Sequence, residues 1–179
     1  MRKSFFKLAA LAAVAGALSQ GAMAADGTIN FTGEIVDAPC SISPNSQNMT
    51  VPLGKVARTV LDGGKGKKAT PSKFTIDLLG CGATAKGATV SFTGTPDLDD
   101  ATTLRLANAG QVGVTTASGV AIELGDSAAT KIPLGSESAQ YVLGQGDNAL
   151  KFQAVYVSTK DTVTVGPANS VAQFTVNYK

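Results

Sequence analysis

Histidine and tryptophan are both missing from this chain of 179 residues. Without histidine there is no Ser-His-Asp triad, no Cys-His pair and no His-ligated zinc. Aromatic residues are scarce at 6%, and charged ones make up only 16% against 44% hydrophobic. That balance is too apolar and too weakly charged for a disordered chain. One apolar run lies near the start, and no second long one follows it. Glycine is plentiful at 20 residues, with seven prolines among many threonines, valines and alanines. Such a mixture favours short strands and turns over long helices.

Met1–Ala24 reads as a secretory signal. Arg2, Lys3 and Lys7 form the positive start, Leu8–Leu18 is a short apolar run, and Ala22-Met23-Ala24 is an A-x-A cleavage site. Eleven apolar residues fall well short of the roughly 20 that span a bilayer. A cut after Ser19 is the alternative, since Ala17-Leu18-Ser19 also has small residues at the required spacing. The net charge of +2 belongs to the whole chain; without those three of the 15 basic residues, 12 face 13 acidic ones. No basic field is left to attract nucleic acid or anionic lipid. No cysteine stands just after the signal to accept a lipid. The expectation is an exported protein without direct membrane insertion, soluble or held by another protein.

Cys40 and Cys81 are the only cysteines. In an exported chain the simplest reading is one disulfide. Two thiols with no histidine beside them make a poor metal set. The bridge closes a loop of about 40 residues and contributes on the order of 4 kcal/mol in the chain-entropy model.

Alternation with period two recurs from end to end. Ile29, Phe31 and Ile35 share one face of Thr28–Ile35, opposite Thr28, Asn30, Thr32 and Glu34. Phe74, Ile76 and Leu78 alternate with Thr75 and Asp77; Val90 and Phe92 follow, then Leu104 and Leu106, then Val120, Ile122 and Leu124. Leu150, Phe152, Ala154 and Tyr156 form a longer strand, and Ala172, Phe174, Val176 and Tyr178 close the chain. Turn clusters such as Asp62-Gly63-Gly64 and Gly80-Cys81-Gly82 separate them. The pattern predicts one all-β domain, a sandwich. Both chain ends are then strands with a clean apolar face, and exposed edges of that kind invite pairing with another chain.

Three minor features carry bland readings. Asp97, Asp99 and Asp100 lack the spacing and distal Glu of an EF-hand and read as a solvated loop. Gly63-Gly64-Lys65-Gly66-Lys67-Lys68 fails the phosphate-loop pattern and reads as a basic surface turn. Asn30-Phe31-Thr32 and Asn48-Met49-Thr50 are glycosylation sequons on paper only.

Taken in order, these segments resemble the pilin subunits of chaperone–usher fimbriae, in particular the rod subunit of type 1 pili. Gly27 through Cys40 is similar to the family's N-terminal extension running into its first cysteine. Val51–Val56 resembles the following strand, and Phe74–Leu78 leads to the second cysteine, Cys81. Phe152–Tyr156 precedes a C-terminal motif of Gly166, alternating Ala172, Phe174 and Val176, and a penultimate Tyr178.

The resemblance implies an incomplete immunoglobulin-like β-sandwich lacking its last strand, with an N-terminal donor-strand extension. It divides the chain into a signal at 1–24, an extension at 25–35 and a pilin domain at 36–179. The implied donor residues are Gly27, Ile29, Phe31 and Gly33. The implied groove and chaperone-binding residues are Phe152, Ala154, Gly166, Ala172, Phe174, Val176, Tyr178 and Lys179. Partners follow on the same basis: neighbouring copies in a head-to-tail polymer, a periplasmic chaperone, an outer-membrane usher, and tip adhesin or adaptor subunits. Export through the periplasm to a surface fimbrium of a Gram-negative cell completes the expectation, with adhesion or biofilm formation a property of the fibre.

A minor adaptor or small adhesin of the same system is the alternative. A tip adhesin carries an extra receptor domain and needs no donor strand, so the Ile29/Phe31 segment discriminates. An exported enzyme would have only Asp, Glu, Lys, Ser or Tyr to work with, and no such pair stands out. No catalytic residue, metal ligand or cofactor is expected.

Overall fold

The computed structural model describes residues 26–35 and 38–179; the signal at 1–24 lies outside them. The chain divides into two units at Val36 and Asp37. In the first, residues 27–35 are assigned to no strand or helix. The apolar alternation expected there is fully displayed: Ile29 is 77%, Phe31 89% and Ile35 100% exposed.

The second unit is built from short strands in antiparallel pairs. In chain order it runs β1 (Ser41–Ile42), α1 (Pro44–Gln47), α2 (Arg58–Leu61), β2 (Ser72–Cys81), β3 (Gly87–Gly94), β4 (Val120–Asp126), β5 (Tyr141–Val142), β6 (Gly146–Ser158) and β7 (Ala172–Tyr178). One sheet has the order β1-β2-β6-β4 and the other β5-β3-β7. Register follows the alternation read from the sequence, since a slip of one residue would turn the apolar set outward. Phe74 faces Phe152 and Ile76 faces Leu150 across β2 and β6. Leu124 faces Ala154 across β4 and β6. Val90 faces Val176 and Phe92 faces Phe174 across β3 and β7.

The two inner faces meet in one core. Ile76, Leu78, Ala88, Val90, Leu150 and Phe152 are essentially sealed from solvent. Phe152 is its hub, with ring centroids 5.2 Å from Phe92, 5.4 Å from Tyr141 and 5.7 Å from Phe74. Edge-to-face and offset pairs of this kind contribute about 0.5–1.5 kcal/mol each beyond the area they bury. On the outer face of β4, buried Glu123 accepts from Lys68 at 2.5 Å and lies 3.7 Å from Lys131.

Two expected strands are not strands here. Leu104 is buried but joins the sheets only through single bridges to Pro96 and Ile122, and Leu106 is core without a ladder. Val51–Val56 carries no strand assignment at all. Cys40 and Cys81 are bonded, with Cα atoms 4.2 Å apart, and fasten the lead-in to β1 onto the end of β2.

Candidate functional site

The sandwich is open along one side of β7. Hydrogen-bond direction shows which groups the opening exposes. Ser138 donates its N–H to the Val90 carbonyl at 2.8 Å, and Gly135 donates to the Phe92 carbonyl at 2.7 Å, both on the side of β3 away from β7. The Lys179 N–H donates to the Gly87 carbonyl at 2.8 Å. Backbone polar groups alternate in direction along an antiparallel strand. Residues opposite Val90 and Phe92, together with Ala172 and Tyr178 in the same phase, therefore aim their N–H and C=O groups away from β3. The free edge of β7 thus offers the backbone of Ala172, Phe174, Val176 and Tyr178. Among the described residues no strand pairs with it.

The facing wall is the segment 49–56. It makes no backbone–backbone hydrogen bond among the described residues, and its one anchor is Ser72 Oγ donating to the Pro52 carbonyl at 2.7 Å. Between the walls lies a cavity of about 610 Å³. Its floor is apolar core: half-buried Phe74 and the buried Phe92, Leu104, Ile122, Leu124 and Ala154. A second cavity of about 360 Å³ continues it towards Leu61, Ala117, Val120 and Val163. Gly54, Tyr156, Ala168 and Asn169 border both cavities, so the two are parts of one groove. Tyr156 divides them, its hydroxyl donating to the Ala168 carbonyl at 2.7 Å. Burial pushes its pKa up, so the phenol stays a donor at neutral pH.

Such a groove has one chemical capacity. Unpaired backbone donors and acceptors on both walls, above an apolar floor, match a single extended strand with alternating apolar side chains. The groove brings no acids, bases or nucleophiles together in an arrangement for catalysis. No cluster of three or more metal-ligating side chains occurs among the described residues.

The residues expected along the groove fall into three sets. Ala154, Ala172 and Phe174 line the larger cavity, and Gly166 lines the smaller. Phe152 sits one layer beneath, 1% exposed. Val176 and Tyr178 are half-buried against the core further along β7. The Tyr178 hydroxyl donates to the Cys40 carbonyl at 3.3 Å, and burial raises its pKa. Lys179 is exposed and lies 3.2 Å from the Glu137 carboxylate, which also accepts from Thr89. The Thr89 and Lys179 contacts hold Glu137 below the usual carboxylate range.

Gly166 has a steric reason to be glycine. A Cβ there would lie 2.5 Å from the Ala117 nitrogen and 2.7 Å from the Thr116 carbonyl carbon.

Sequence reasoning did not assign the floor residues Leu104, Ile122 and Leu124 or the wall residues Met49 and Leu53 to the groove. Their alternation marks Leu104, Ile122 and Leu124 as core, and they are buried; that they also line a cavity is a property of the missing strand. The acidic cluster is a self-bonded turn. Asp97 accepts from the backbone N–H of Asp99 and Asp100, Asp99 lies 3.3 Å from Lys160, and Asp100 lies 3.1 Å from Lys131.

Comparison with known proteins points the same way. The model of the family described as "Fimbrial protein" matches residues 29–179. The chain is 39% identical to the long polar fimbria protein A of Salmonella typhimurium, covering all of this chain and 98% of that one. It is equally similar, at 39% with the same coverage, to the probable major fimbrial subunit LpfA of Escherichia coli O157:H7. Among solved structures, it superposes on a subunit of a chaperone–usher pilus described for its rod uncoiling. That match has a TM-score of 0.70 and 27% identity, and covers 87% of this chain and 96% of that one.

Proposed function

This chain belongs to the fimbrial protein family and is a structural subunit of a chaperone–usher fimbria, and from that premise we propose that it polymerises by strand exchange. The extension at 25–35 of one copy fills the groove of the next. Ile29 and Phe31 enter the cavities, while Gly27 and Gly33 pass where a side chain has no space. The backbone of the inserted segment pairs with Ala172, Phe174, Val176 and Tyr178 on one wall and with 49–56 on the other. Residues 1–24 are the export signal, and 36–179 form the pilin domain. The open groove carries this reading, because a sandwich with unpaired backbone on two facing walls is complete only with a strand from elsewhere.

The same groove serves first for a chaperone in the periplasm, which lends its own strand to β7, and is refilled by the next subunit at an outer-membrane usher. The finished fibre stands on the cell surface and supports adhesion or biofilm formation. Similarity to a probable major subunit favours a place in the fibre shaft over a minor adaptor. The role is structural, without catalysis or cofactor.

A photo-crosslinking residue in place of Phe31 tests the exchange. Fibres irradiated after assembly are expected to yield ladders of joined subunits, with crosslinked peptides pairing position 31 with Phe74, Leu104, Ile122 or Phe174 of another copy. Crosslinks confined to single chains would refute it.

A further inference from the structure

Met49 stands on the wall of the larger cavity, half-buried against the apolar cluster. It is the single methionine among the described residues. Cys40 and Cys81 are bonded to each other and no cysteine is free. The whole chain contains neither tryptophan nor histidine. Hydrogen peroxide reacts first with accessible sulfur, as thiolate or thioether. For such an oxidant the described protein therefore holds one quickly reacting atom, Met49 Sδ, and it borders the opening into which a strand must pass.

We propose that Met49 is an oxidation site that controls strand entry: its sulfoxide blocks the groove, so peroxide halts assembly of free subunits and spares finished fibres. This rests on the strand-exchange reading above. In the step itself a sulfur lone pair attacks one peroxide oxygen. The S–O bond forms as the O–O bond breaks, and sulfur gives up two electrons to the oxygen pair. The leaving hydroxide takes the proton of the transferred oxygen and departs as water.

The product replaces a pliable apolar side chain with a polar, chiral one. Its oxygen accepts hydrogen bonds strongly, but the cavity floor of Phe74, Phe92, Leu104, Ile122 and Leu124 supplies no side-chain donor. Of the four lining side chains that carry one, Tyr156 and Ser170 already donate to the Ala168 and Arg105 carbonyls, which leaves Thr50 and Asn169. An entering strand commits its N–H groups to backbone carbonyls of the walls. The sulfoxide then either keeps its water and holds the strand off, or is buried against an apolar floor and a strand with no N–H to spare. Once a strand is seated, the same wall is covered and peroxide has no approach.

The test uses the chain without residues 1–24, kept dilute as monomer or assembled into fibres, each exposed to hydrogen peroxide. Met49 sulfoxide is read by peptide mass spectrometry, and polymer growth by light scattering. Oxidation in fibres is expected to be slower than in monomer by about tenfold or more, following exposure. Oxidised monomer should polymerise slower by a similar factor, roughly tenfold per 1.4 kcal/mol of lost affinity. Met49→Leu should polymerise equally with and without peroxide, and methionine sulfoxide reductase should restore the oxidised protein. Equal oxidation of monomer and fibre, or undiminished growth of oxidised monomer, would overturn the proposal alone. If unoxidised monomer and Met49→Leu form no polymer at all, the strand-exchange reading falls and takes this proposal with it.

Discussion

Truncating Phe31 to alanine separates assembly from folding. In the subunit the ring is 89% exposed, so its loss should change subunit stability by no more than about 0.5 kcal/mol, as for ordinary surface positions. In a neighbour's groove the account differs. Burying a phenylalanine contributes roughly 1.5–3 kcal/mol, and deleting it from a formed core costs about 3–5 kcal/mol once the cavity is counted. Even 3 kcal/mol is a factor of about a hundred in one junction's equilibrium, and every junction in the fibre suffers it. Tyr178→Ala is the companion: its ring packs against the core of its own subunit and its hydroxyl reaches the Cys40 carbonyl. Subunit in the periplasm is measured by immunoblot against fibre shed from the surface. Phe31→Ala should leave soluble subunit abundant and fibres few, whereas the Tyr178 change should deplete the subunit itself. Equal depletion in both would place Phe31 in its own domain's core, and the donor assignment would be wrong.

Four further outcomes follow from the geometry. Replacing Cys40 and Cys81 together by alanine should lower stability by about 4 kcal/mol on the loop-closure model, read as a lower urea midpoint. Gly166→Ala forces a methyl against the backbone of Thr116 and Ala117; overpacking of this kind costs about 1–3 kcal/mol. Gly27→Ala, with nothing near its Cβ position, should leave the subunit's thermal midpoint unchanged. The Asp100 carboxyl is held below its ordinary value of 3.8, chiefly by the Thr102 hydroxyl, with Lys131 assisting against partial burial. A depressed carboxylate stabilises the fold above its unfolded pKa, and that contribution fades as pH falls through the lower folded value. Acid titration of Asp100→Asn should therefore show a shallower loss of stability below about pH 4 than the parent protein.

The strands that pack on both sides of the core were legible because alternation is a direct record of burial. Phe74-Ile76-Leu78, Leu150-Phe152-Ala154 and Phe174-Val176-Tyr178 all sit in β2, β6 and β7 with their apolar members inward. Alternation records which way a side chain points and says nothing of what the backbone pairs with. Leu104 and Leu106 are buried as their pattern requires, yet the chain turns away after a single pair of bonds between Leu104 and Ile122. Thr28–Ile35 has a strand's pattern and no assigned strand. The wall at 49–56 is expected to hold a strand at Val51–Val56 only from the resemblance: Pro52 and Gly54 break its alternation, and its backbone pairs with nothing among the described residues. The groove is a relation between two unpaired segments, and no single stretch of residues encodes it.

A cavity above an apolar floor ought to collapse, and the contacts outside the groove explain why it stays open. Before the 49–56 wall, Ser46 Oγ accepts the Asp77 N–H at 3.0 Å and ties α1 to β2. At its middle, Ser72 holds Pro52. Beyond it, Asp62 accepts the Val163 N–H at 2.9 Å, just after α2. The opposite wall is fixed by the continuous register of β7 on β3, and its approach is set by the fit of Gly166 against Thr116 and Ala117. None of these bonds is available to a strand lying in the groove, so none has to break for one to enter. The slot is therefore preorganised, and binding loses little to rearrangement. On the strand-exchange proposal the gain is correspondingly direct: each backbone bond formed contributes roughly 0.5–1.5 kcal/mol net, added to the burial of Ile29 and Phe31, which are exposed in the subunit. On the same proposal, a groove held open by its own surroundings makes the strand between subunits the last part of the fold to form.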